Sequence, residues 1–105
     1  MLSAKQFPGW PQTIKVQDNY GRQAAAFLPT IKISGITNPV FQIINEKNNE
    51  IVYTIRIKEN IFRPKVFEEG LYTIKAGDPD IGKIEILENV QSLGLNKKQI
   101  IKINF

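Results

Sequence analysis

The chain contains no cysteine and no histidine. The first absence removes disulfides and thiolate metal sites, and the second removes imidazole ligands. Together they exclude every Cys–His nucleophile–base pair. Tryptophan and methionine occur once each. Ser3, Ser34 and Ser92 are the serines, and none stands in a Gly-any-Ser-any-Gly elbow. The glycines are isolated at turns, so no Gly-rich phosphate loop exists. No apolar run approaches the ~18–20 residues that a membrane-spanning helix needs. No basic-then-apolar start marks a signal peptide, so any export signal lies outside this chain or has been removed. Residue chemistry therefore argues against an enzyme and by itself names no function.

What is present describes an ordinary folded domain. Its 105 residues suffice for one domain, and roughly two thirds of the chain's surface can be buried at that length. Hydrophobic residues are 42% and charged residues 23%, which argues against disorder. The net charge of +4 is mild. The lysines are spread along the sequence instead of forming a stripe with interleaved aromatics. The expectation is a solvated basic surface and no nucleic-acid partner.

Period-two alternation recurs, the mark of half-buried strands. From Glu50 to Lys58, Ile51, Tyr53, Ile55 and Ile57 share one face, and Val52, Thr54, Arg56 and Lys58 the other. Five further runs alternate. Thr13 to Gln17 turns Ile14 and Val16 inward, and Thr30 to Ser34 turns Ile31 and Ile33 inward. Gly70 to Ala76 turns Tyr72, Ile74 and Ala76 inward and Leu71, Thr73 and Lys75 outward. Lys83 to Leu87 turns Ile84 and Ile86 inward. Gln99 to Phe105 groups Ile101, Ile103 and Phe105. Val40 to Asn45 is apolar in both registers, which predicts cover on both faces. Gln23 to Phe27 and Val90 to Leu95 each suit one helical turn.

Turn chemistry separates these runs. Asn45 to Asn49 fits a hairpin loop of four or five residues. Pro64 cannot donate to a ladder, so Phe62 to Phe67 is an edge strand or irregular. Seven or eight short strands with frequent turns predict an all-β fold, an antiparallel β-sandwich or barrel. Glu68-Glu69-Gly70-Leu71-Tyr72 looks like a tyrosine corner, which favours the immunoglobulin-like form of that sandwich. Residues 13–105 make up this sandwich domain. Residues 1–12, with Phe7-Pro8-Gly9-Trp10-Pro11, form a linker or docking segment.

Few residues suggest chemistry. Asp78 and Asp80 flank Pro79 in a turn, where the Asp78 side chain is expected to bond its own backbone instead of a cation. No metal or cofactor is expected. Trp10, Tyr20, Phe62 and Phe67 are aromatic enough to stack on a sugar or dock a partner, although in a small sandwich such rings usually complete the core. Arg56 and Arg63, with Lys58 and Lys65 beside them, suggest a small basic patch. The alternative is cross-strand pairing with Glu68, Glu69 or Glu85. Trp10, Tyr20, Arg56 and Arg63 are thus the candidate docking or ligand surface.

Several stretches resemble the C-terminal region of bacterial alkaline phosphatase D-like metallophosphoesterases. They include Phe7-Pro8-Gly9-Trp10-Pro11, Asp18-Asn19-Tyr20-Gly21-Arg22, Leu28-Pro29-Thr30, Asn38-Pro39-Val40 and Glu50 to Ile57. Phe62-Arg63-Pro64-Lys65-Val66-Phe67 and Gly70-Leu71-Tyr72-Thr73-Ile74-Lys75 complete the match. It covers most of residues 7 to 80 and weakens beyond. In that family the hydrolase domain comes first, carries the metal ligands, and is followed by a β-sandwich. None of its catalytic positions maps onto this chain. The resemblance implies a non-catalytic accessory sandwich, cut from a parent that is a metal-dependent phosphoesterase. Its partner would be the preceding hydrolase domain of the same chain, and its location periplasmic, cell-surface or secreted. The alternative is an independent module that binds carbohydrate or the cell surface through Trp10 and Tyr20.

Overall fold

The computed structural model describes residues 23–105. The strand expected at 13–17, the segment 1–12, Trp10 and Tyr20 lie outside the described residues. Nine strands follow in order: β1 (Ala26–Phe27), β2 (Thr30–Ser34), β3 (Val40–Asn45), β4 (Glu50–Arg56), β5 (Ile61–Phe62), β6 (Lys65–Val66), β7 (Leu71–Asp78), β8 (Lys83–Gln91) and β9 (Ile100–Asn104). A 3-10 turn, Pro79–Ile81, joins β7 to β8. The fold is all-β and sandwich-like, in three sheets ordered β4-β3-β7-β8, β5-β2-β9 and β1-β6. Ala26–Phe27 and Val90–Gln91 are strand, not helical turns. Phe27 is instead bridged to Leu93, each amide bonding the other's carbonyl.

The alternating runs became strands because each presents β-branched or aromatic residues to one side. Ile31 and Ile33 of β2, Phe41 and Ile43 of β3, Tyr72, Ile74 and Ala76 of β7, and Ile103 of β9 meet in one core cluster. Pro64 divides its segment between two sheets: β5 pairs with β2, whereas β6 pairs with β1. The Pro64 carbonyl accepts from the Leu28 amide at 2.8 Å. The β3–β4 hairpin closes as its asparagines predict. The Asn45 side chain accepts from the Lys47 amide, the Asn48 side chain accepts from the Glu50 amide, and Asn49 takes a φ of 64°.

Three features differ from the sequence expectation. First, the pairing is not antiparallel throughout. β2 and β9 run parallel in the register Thr30↔Ile100 to Ser34↔Asn104. Gly35 makes that end of the ladder possible: at φ 95° any Cβ there would overlap the Phe105 carbonyl. Second, a bulge in the β3–β4 pairing sets Ile43 opposite Tyr53 but Ile44 opposite Ile51. The extra residue, Val52, packs against the core, and Ile51 moves to the opposite face. Third, a bulge in the β7–β8 pairing falls between Tyr72↔Val90 and Ile74↔Leu87, where Asn89 has a φ of 57°. Leu87 and Val90 therefore face the core, while Ile86 lies opposite Lys75 and is exposed.

Candidate functional site

The corner at Tyr72 is built as the Gly70-Leu71-Tyr72 pattern predicts. Tyr72 is 1% exposed, and its hydroxyl donates to the Glu68 carbonyl at 2.6 Å. The Glu68 carboxylate accepts from the Asn45 side-chain amide at 2.6 Å. The Gly70 amide donates to the Ser92 hydroxyl at 2.9 Å. Burial pushes the Tyr72 hydroxyl above its ordinary value of 10.0, and the nearby Glu68 charge adds to this. The hydrogen bond to the Glu68 backbone opposes them. Beside this corner lies an open cavity of about 310 Å³, with Glu50, Ile51, Phe67 and Glu68 in its walls.

The two arginines do not assemble a patch by shared contacts. Arg56 donates to the Asn38 carbonyl at 2.9 Å and pairs with Asp80 at 3.5 Å, not with the glutamates expected. Arg63 lies over the Phe27 ring at 3.8 Å and donates to the carbonyls of Leu95 and Lys97, both at 3.2 Å. Each guanidinium clamps one loop to a strand. Asp78 accepts from the Asp80 amide at 3.0 Å, the local turn bond expected of it. Phe62 stacks on Phe41 with ring centroids 4.9 Å apart, and Phe67 meets Tyr53 at 6.4 Å. Among the described residues no group of three or more acids could hold a metal.

One surface was partly missed by sequence reasoning. Gln42, Ile44, Thr73 and Lys75 point away from the core cluster, yet each is at most 2% exposed. Val40 and Thr54, at 6% and 9%, extend the same buried face. Gln42 donates to the Thr54 hydroxyl at 3.0 Å. The Gln42 amide oxygen is buried with no hydrogen bond, a cost of about 1–3 kcal/mol unless a donor reaches it. The apolar double register of β3 signalled this cover. On β7 it was hidden, because Thr73 and Lys75 alternate with core residues and read as solvent-facing.

Comparison with family models, curated proteins and solved structures gives no match to this chain.

Proposed function

We propose that this chain is a non-catalytic accessory domain with an immunoglobulin-like sandwich, the trailing part of an exported phosphoesterase-like hydrolase. The observation that carries the reading is how the polar side chains are used. Arg56, Arg63, Glu46, Glu68 and Tyr72 each bond a backbone group or a neighbouring strand. Such groups are joints of a scaffold and are not free to act on a substrate. The tyrosine corner supports the immunoglobulin-like form. The resemblance supplies the parent enzyme, its periplasmic or surface location and the preceding hydrolase domain as partner.

The described aromatics favour this reading over a carbohydrate-binding module. Phe41, Phe62, Tyr53 and Tyr72 are buried, and Phe27, Phe67 and Phe105 are half-buried. A sugar platform would have to be built from Trp10 and Tyr20. The test is an assay of the purified chain against a generic phosphate ester, with and without divalent metal. No turnover is expected. Turnover that disappears on Glu68→Gln or Glu50→Gln would overturn the reading. A gene whose upstream sequence encodes no hydrolase domain would remove the proposed parent.

A further inference from the structure

Lysines dispersed in the sequence are gathered by the fold. On the outer face of the three-stranded sheet, the parallel register sets Lys32 directly beside Lys102. Both are exposed, on strands ~4.8 Å apart. Like charges directly across a ladder repel, and among the described residues no acid lies within ion-pair distance of either lysine. Ile61 lies on the other side of Lys32, and Ile100 stands two residues before Lys102 on the same face. Ile61 is 51% exposed and Ile100 59%. We propose that this face rests on the surface of an anionic lipid bilayer. Lys32 and Lys102 meet the headgroup phosphates, and Ile61 and Ile100 enter the acyl boundary beside them.

Charge in the described part of the chain is divided in the same sense. Residues 28–36, 57–63 and 92–105 hold the three-stranded sheet. They contain Lys32, Lys58, Arg63, Lys97, Lys98 and Lys102 against Glu59. Residues 37–56 and 68–91 hold the four-stranded sheet, and there eight acids face four basic residues. The domain is thus polarised across its two sheets, and the Lys32–Lys102 pair lies at the positive side. Near a negative surface this distribution turns the three-stranded sheet toward the charge and the acidic sheet away from it.

Shape and side-chain type select a lipid surface over other anions. The recess lined by Lys32, Ser34, Lys102 and Asn104 is open and about 120 Å³, smaller than the several hundred Å³ that enclose a small molecule. Its floor is polar, because the Ser34 hydroxyl donates to Asn104 Oδ1 at 2.6 Å. Binders of nucleic acid or polysaccharide present rings on which bases or sugars stack. Here Phe62 and Phe105 pack on the core, and the apolar side chains on the outer face are aliphatic. Aliphatic area flanked by lysines suits a bilayer interface, where the ammoniums stay among the headgroups while their stems follow the apolar boundary.

Co-sedimentation of the full chain with phosphatidylcholine vesicles, with and without added phosphatidylglycerol, tests the proposal. Binding is expected to the anionic vesicles alone, weakening as salt rises. Each basic residue at such a surface changes partitioning about fivefold, so Lys32→Gln with Lys102→Gln should lower binding ~30-fold. Ile61→Ser with Ile100→Ser should lower it at least ~5-fold. Lys47→Gln with Lys83→Gln, on the four-stranded sheet, should lower it less than ~2-fold. Absence of binding, or equal losses from the two lysine pairs, would overturn the proposal. So would tighter binding to heparin or duplex DNA that ignores the isoleucine substitutions, since a soluble polyanion would then be the partner. If a variant loses the fold, a label decides, because the chain has no cysteine of its own. Bimane on Ile100→Cys should shift its emission to the blue on anionic vesicles. On Ile81→Cys, in the exposed β7–β8 turn, it should not. Equal shifts, or none, would overturn the docking.

Discussion

Tyr72 ties the start of β7 to the turn before it, and that bond has two measurable consequences. Tyr72→Phe leaves the ring in the core but removes the donor to the Glu68 carbonyl. The expected loss is about 1 kcal/mol in urea unfolding; an unchanged midpoint at constant slope would mean that the hydroxyl contributes nothing. The second consequence lies in alkali. Burial, with Glu68 adding, holds the folded hydroxyl protonated above 10.0, whereas the unfolded chain releases its proton near 10.0. The folded state then binds more protons, so this contribution is complete below pH 10 and falls as pH rises through the folded value. The Tyr72→Phe variant lacks that slope. Its stability should decline less steeply above pH 10 than that of the parent, and parallel profiles would refute the linkage.

At the scale of elements, bulges explain what alternation foretold and what it did not. The inward pairs of β2, β7 and β9 were legible, because an uninterrupted period of two leaves one choice of face. Ile51, Ile84 and Ile86 were misassigned: the bulge in β4 flips Ile51, and the register of β8 sets Ile84 and Ile86 opposite Gly77 and Lys75, away from the core. No local residue in β4 marks its bulge, whereas Asn89 in β8 is a residue tolerant of positive φ. Pro64 was legible as a break, but which two sheets it would separate depends on long-range pairing. Glu46 fastens the second bulge. Its carboxylate accepts from the Thr73 hydroxyl at 2.9 Å and from the Asn89 amide, joining the β3–β4 hairpin to β8. Glu46→Ala should cost about 1.5–3 kcal/mol, since the acceptor is charged. Hydrogen exchange should show the loss first at Asn89, and uniform acceleration across all sheets would contradict so local a role.

For the molecule as a whole, the sequence announced an all-β sandwich but not how the chain closes. The docking expected of Trp10 and the sugar contact weighed for Tyr20 fall outside the described residues. At the candidate surface, Arg56 and Arg63 each bond a different loop. Closure was illegible for a physical reason: β2 and β9 are read identically whether they pair parallel or antiparallel, and nothing nearby in sequence joins Ser34 to Asn104, which bond across 70 residues. That parallel pair determines how the domain bears force. Tension applied before β2 and after β9 drags the two strands in opposite directions along their length, so the five-residue ladder is loaded in shear and its hydrogen bonds share the load. Tension applied at Ser34 and Asn104, which sit side by side, peels the same ladder one bond at a time. Thiol handles placed at those two pairs of positions allow single-molecule stretching to compare them. The end-to-end pull is expected to need several-fold more force. Equal forces would mean that another sheet gives way first; unequal forces would make this domain a tether that resists being drawn out from its ends.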